Sequence, residues 1–271
     1  MFSPASRHKL KSAVDACLRR SSSGDCPTPH GPIGEWDVSR VTDFNYLFSG
    51  AKSFNQDLSK WDVSKGTIFA GLFNGARSFN QDLSKWDVSK ATDTSWMFYG
   101  CQAFNSDLSR WDVSRVKSTS YMFNGARSFN SDLSAWDTSK ITEMNWMFRD
   151  AQAFNQDLSR WVVSDVTEMY GMFRGATSFN KDLSKWDVSS TTDMSNMFYS
   201  ATSFNKDLSK WDVSQVRNMD TMFKDASTFE QTLCGATWVN SKAEKINMFV
   251  GSPGSISQTV CGMWGIGINI V

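Results

Sequence analysis

The sequence predicts an α/β repeat solenoid. The form expected is leucine-rich-repeat-like and right-handed, with one short parallel strand and one short helix in each 25-residue coil. Three observations carry this. The stretch Phe54 to Ser78 restarts at Phe79 without insertion. Tryptophan falls at 36, 61, 86, 111, 136, 161, 186 and 211. Phenylalanine falls at 48, 73, 98, 123, 148, 173, 198 and 223, and again before Asn at 54, 79, 104, 129, 154, 179 and 204. A fixed period of about 20 to 50 residues marks stacked supersecondary units, each contacting only its neighbours.

The order of the chain follows from that period. Residues 1–35 lie outside it and read as an N-terminal cap. Ser6 to Arg20 places Leu10, Ala13, Val14, Cys17 and Leu18 on one helical face, and Ser21 to Pro32 is a turn-rich connector. Residues 36–229 hold eight repeats. Within each, Leu-Ser-Lys-Trp-Asp-Val-Ser alternates: Leu58, Trp61 and Val63 on one face, Lys60, Asp62 and Ser64 on the other. That pattern predicts a strand with one buried face. Thr42-Asp43 and its copies predict a helix start, and Met144, Met147, Phe148 and Ala151 follow at helical spacing. The Asn of each Phe-Asn pair is expected to turn the chain and satisfy backbone groups at the corner. The indoles are expected to stack and to donate to a backbone carbonyl at a turn. Residues 230–271 form a degenerate coil and C-terminal cap. There Ile246-Asn247-Met248-Phe249 echoes the repeat one residue out of phase, and Gln258 to Val271 looks strand-like.

Composition narrows the function. The 28 basic and 28 acidic residues cancel, so no nucleic-acid or anionic-membrane footprint is expected. No run of about 18 apolar residues is present, so no transmembrane segment is expected. Of five cysteines, Cys101 sits where the repeat carries Ala and reads as a small buried residue. Cys17, Cys26, Cys234 and Cys261 flank the array in pairs, and Cys17–Cys26 and Cys234–Cys261 would each close one cap. Such pairs belong to an oxidising compartment. With His8 and His30 as the only histidines, no metal cluster is expected.

The candidate interaction face is the outward row of Lys60, Asp62, Lys85, Asp87, Arg110, Asp112, Lys185, Asp187, Lys210 and Asp212. Stacked carboxylates would suit calcium, but interleaved Lys and Arg neutralise them, and a protein or glycan partner also fits this face. The variable surface of the expected helix and the two ends remain free for function as well. Serine catalysis lacks a base beside any repeat serine, and a repeat gives every carboxylate the same surroundings, whereas acid–base work needs two that differ. No catalytic residue and no cofactor is expected.

The units FNQDLSKWDVSKATDTSWMF and FNKDLSKWDVSSTTDMSNMF resemble the BspA-like leucine-rich-repeat surface proteins, whose repeats were first catalogued as a mycoplasma lipoprotein domain of unknown function. The resemblance covers about residues 33–230. It implies a secreted or cell-surface solenoid used for adhesion or interaction, without catalytic residues. Three departures stand out: Lys65 to Gly71 loses the Thr-Asp-Met start, Val162 replaces Asp after Trp161, and Thr138 replaces Val. The expectation is an extracellular or cell-surface adhesion, protein-interaction or structural module. Its partner is a surface or matrix protein, or the chain itself by assembly into a filament or large complex. Calcium or glycan binding through the Asp/Lys rows is the other alternative.

Overall fold

The computed structural model describes residues 2–26 and 29–262. Among these, the regular elements are α1 (Arg7–Arg20), a 3-10 turn (Ile33–Glu35), β1 (Thr232–Leu233), α2 (Ala236–Val239) and β2 (Ser255–Ile256). β1 and β2 pair in parallel. The array itself contains neither helix nor strand, so the strand and helix expected in each repeat are replaced by turns.

The helix is absent because its backbone donors are used elsewhere. Alternate N–H groups leave the coil: Phe44, Tyr46, Phe48 and Gly50 donate to the carbonyls of Ile68, Ala70, Leu72 and Asn74 in the next unit. The N–H groups between them, from Leu47, Ser49 and Ala51, donate three residues back within the coil. One parallel bridge marks each junction, from Asp43↔Ile68 through Asn218↔Glu244. Thr does not cap a helix. The Thr67 hydroxyl donates to the Thr42 carbonyl one unit back, and Thr92 repeats this on Thr67. Asp43 instead accepts from Asn45 N–H at 2.8 Å, closing a turn.

The expected strand is interrupted for a similar reason. Its sidedness holds, with Leu58, Trp61 and Val63 buried and Lys60 and Asp62 exposed. But Trp61 N–H bonds back to Leu58 and Gly66 N–H to Val63, while Asp57 and Asp62 accept from the N–H groups of Ser59 and Ser64. Short polar side chains that bond nearby backbone draw it away from a ladder.

Three columns of rings fill the interior. Phe48 lies 5.5 Å from Phe73, Phe54 lies 5.9 Å from Phe79, and Trp61 lies 6.5 Å from Trp86, each pair nearly parallel. Each indole N–H donates to a carbonyl in the preceding unit, Trp86 to Leu58 and Trp111 to Leu83. The Asn column runs the same way: Asn80 N–H donates to Asn55 Oδ1 and Asn105 N–H to Asn80 Oδ1. It ends at Glu230, whose N–H takes the Asn205 oxygen.

The ends are built differently. α1 is capped by Ser6 and buries Leu10, Ala13, Val14 and Cys17. Across the first unit, Arg7 Nε donates to the Asn45 carbonyl, a position that later units fill with a neighbour's N–H. At the far end the ladder continues past residue 229. Met219, Thr221, Phe223 and Asp225 donate to Glu244, Ile246, Met248 and Val250, after a step one residue longer than the others. Trp238 stands in for the next tryptophan, donating to Leu208. Of the strand-like tail from Gln258 to Val271, residues 263–271 lie outside the described residues.

Candidate interaction face

The ladder needs two left-handed residues in each unit, four apart. At the second site the sequence supplies Gly50, Gly75, Gly100, Gly125 and Gly175, with Asp150, Ser200 and Asp225 in the remaining units. At the first it supplies Gly71 and Gly171, with Asn196 and Thr221 in the last two units, but also Tyr46, Trp96, Tyr121 and Trp146, all with φ between 52° and 62°. An L-residue there costs roughly 1–2 kcal/mol. Large aromatics in this conformation are outliers that ask for a functional account.

The rings lean toward the following unit. A Cβ on Gly71 would collide with the Tyr46 ring, and one on Gly171 with the Trp146 ring, so the two glycines make room for the aromatics before them. Trp96 stacks on Tyr121 at 3.9 Å, and Tyr99 lies 5.0 Å from Trp96. Tyr170 meets Trp146 edge-on at 5.2 Å. Arginines cover the next rings: Arg149 lies 5.1 Å from Trp146, and Arg174 lies 4.5 Å from Tyr199. Burial first, and then the neighbouring Tyr170 hydroxyl, push the Tyr121 phenol up to about 12. These aromatic and basic side chains form one half-exposed row.

Beside the row runs a trough. A Cβ on Gly75, Gly100 or Gly125 would meet the glycine of the preceding unit at 3.5–3.7 Å, so bare backbones lie side by side. Tyr99, Gly100, Gln102, Asn124, Gly125, Arg127, Arg149 and Asp150 enclose a depression of about 190 Å³. A larger one, about 500 Å³, lies where the trough reaches α1, at Gly50 and Lys52. Asn124 is only 4% exposed, and its amide nitrogen has no hydrogen-bond partner.

The Lys/Asp face foreseen from the sequence is exposed throughout, but its charges do not pair as expected. Among the described residues Lys60 pairs with Glu35, not Asp62. Lys60 acts instead on Asp57, and Lys65 on Asp62. The Asp62 carboxylate is held below its ordinary value first by the Ser64 hydroxyl and then by Ser64 N–H; Asp87, Asp137 and Asp187 follow the same pattern. These carboxylates serve turns. Lys60 and Asp62 do line a depression of about 190 Å³ with Glu35 and Asp37. Among the described residues no group of three or more His, Cys, Asp or Glu is placed to hold a metal ion.

The two departures Thr138 and Val162 meet: the buried Thr138 hydroxyl donates to the Val162 carbonyl and accepts from Val162 N–H. The caps are closed by Cys17–Cys26 and Cys234–Cys261. Cys101 is buried, donates to Phe73 O, and has its thiol pushed far up by burial. Among the described residues no helix is long and apolar enough to cross a membrane. The aromatic row was not foreseen as a row. Its signal in the sequence is the position immediately before each Met-Phe-like pair, where the copies read Tyr, Gly, Trp, Tyr, Trp, Gly, Asn and Thr inside an otherwise fixed frame.

No curated protein and no solved structure matches the chain. The family described as "Mycoplasma protein of unknown function, DUF285" matches it three times, over residues 21–136, 101–200 and 159–264, and the chain belongs to that family.

Proposed function

We propose that this protein is a non-enzymatic binding module of the extracellular space or cell surface, a solenoid of the BspA-like leucine-rich-repeat kind serving adhesion or protein interaction. The aromatic row carries the reading. At its backbone position glycine folds without strain and asparagine with less than most residues, as in Gly71, Gly171 and Asn196. Tyr46, Trp96, Tyr121 and Trp146 accept the strain and keep their rings partly open. Tyrosine, tryptophan and arginine are the residues that dominate binding surfaces. Two cap disulfides favour an oxidising compartment.

The test is retention of the labelled chain on a printed array of matrix proteins and glycans, beside the double variant W96N/W146N. Asparagine keeps the left-handed backbone and removes the rings. Wild type should hold to a subset of spots, and the variant should lose about tenfold of that signal. Equal retention of both, or no retained spot for wild type, overturns the reading.

Self-assembly is the second reading. Ile246 and Val250 are 62% and 50% exposed at the last rung, beside Met248 and Phe249. If they join copies, the mass from light scattering rises with concentration in wild type and not in I246K/V250K. A wild-type mass that stays monomeric removes this reading.

A further inference from the structure

The glycine-floored trough runs beside the aromatic row and shares Tyr99 and Arg149 with it, but its chemistry is more specific. Its floor is Gly50, Gly75, Gly100 and Gly125, which allow a ligand to approach the backbone closely. One side carries Lys52, Arg77 and Arg127 at the same place in three units, all exposed. None of the ion pairs among the described residues involves them. Tyr99 and Asn124 stand opposite, and Arg149, lying 3.3 Å from Asp150, closes the far end.

The backbone of this trough has little left to offer a peptide strand. Gly50, Gly75, Gly100 and Gly125 donate to the next unit, and the carbonyls of Gly50, Gly75 and Gly125 accept from Lys52, Arg77 and Arg127. Strand addition needs free main-chain groups. What remains are guanidinium and ammonium donors, side-chain amides and a tyrosine ring. These suit hydroxyls, the apolar face of a sugar and an anionic group. At the trough the units are joined by backbone hydrogen bonds, which set their repeat at about 4.8 Å, an advance comparable with that of one residue in an extended pyranose chain.

We propose that this trough binds a linear acidic polysaccharide, made of carboxylated or sulfated hexoses, laid along the glycines with its anionic groups on Arg77 and Arg127. Asn124, whose amide nitrogen lacks a partner, lines the depression at Gly100 and Gly125 and supplies a donor there after a side-chain torsion. The proposal rests on the binding-module reading and names a ligand for it.

Isothermal titration at about 50 mM salt, where surface charges are weakly screened, tests it with hexagalacturonate, maltohexaose and hexaglutamate. Hexagalacturonate should bind, and R77Q/R127Q should weaken it about tenfold. K185Q/K210Q, on the Lys/Asp face, should leave it unchanged. No heat with hexagalacturonate overturns the proposal. So does equal binding of maltohexaose, which would make the acid groups irrelevant, or of hexaglutamate, which would make the sugar irrelevant. Equal loss in K185Q/K210Q overturns it too. If the trough fails while the array signal persists and W96N/W146N abolishes it, the ligand assignment falls and the module reading stands.

Discussion

The indole N–H of Trp136 donates at 3.0 Å to the carbonyl of Leu108, one unit back along the array. The same Leu108 carbonyl also receives the N–H of Trp111, closing a turn in its own unit. One buried acceptor thus joins a turn to the stack above it. Trp136→Phe keeps most of the packing and forfeits this bond, a loss of about 1–3 kcal/mol. Trp136→Ala also leaves a cavity between Phe123 and Trp161 and should cost about 3–5 kcal/mol. Urea denaturation of both variants checks the order. A Trp136→Phe protein as stable as wild type would mean that the hydrogen bond is immaterial.

The Asn column predicts a chemical distinction. Asn155 N–H donates to Asn130 Oδ1 at 2.9 Å. Asn130→Ala strands that donor and should destabilise by about 1 kcal/mol, while Asn130→Asp keeps an acceptor in place and should cost less. A larger loss in the Asp variant would contradict the assigned role.

The aromatic row should be nearly dispensable for folding. In W96N/W146N the relief of left-handed strain, roughly 1–2 kcal/mol per residue, offsets much of the lost ring contact, so the melting midpoint should stay close to wild type. Gly171→Ala should do the opposite, because its Cβ meets the Trp146 ring at a φ of +61°. Differential scanning calorimetry reads both, and a stable Gly171→Ala protein would contradict the packing.

Acid should weaken the array through its turn carboxylates. Asp37 is lowered to about 2 by the Ser39 and Ser3 hydroxyls and Ser39 N–H, and Asp57 and Asp62 are lowered from 3.8 by Ser59 and Ser64. A depressed folded value means stability present above the unfolded value and lost as pH falls through the folded one. The melting temperature should therefore hold down to about pH 5 and fall from about pH 4 toward pH 2. A flat profile to pH 2 would remove these carboxylates from the account.

Thiol chemistry gives the last test. Under denaturing, non-reducing conditions one thiol should react, that of Cys101, and none in the native protein. Removing Cys234–Cys261, which spans 27 residues, should cost about 1 kcal/mol more than removing Cys17–Cys26, which spans 9. Five reactive thiols would end the extracellular reading.

Much of the frame was legible because it rests on local pattern. The α1 face shows in the spacing of Leu10, Val14 and Cys17, and both disulfides in the pairing of the flanking cysteines. The indole acceptors followed from the rule that a buried N–H finds a partner. The expected helix failed at Met144 to Ala151 for a physical reason. Met144, Met147, Phe148 and Ala151 are all buried, but alternating within-coil turns and between-coil bonds place them inward at the same spacing as a helix would. Sequence spacing cannot distinguish the two. The Lys/Asp face was located correctly as an exposed surface, yet its charge partners lie in other rows, which depends on how turns orient the side chains.

By itself the sequence determined the 25-residue unit, its stacked tryptophans with their buried indole hydrogen bonds, its Asn-to-backbone bonds at the corner and its capped ends. These follow from which residues must leave water and which polar atoms must then be satisfied. The tertiary structure alone decided where the backbone donors go, and therefore that Tyr46, Trp96, Tyr121 and Trp146 stand in left-handed conformations beside a glycine trough. A backbone state costing roughly 1–2 kcal/mol in isolation persists here because a neighbouring unit takes the N–H while a turn within the unit takes the carbonyl. That neighbour is 25 residues away in the chain and adjacent only in the fold.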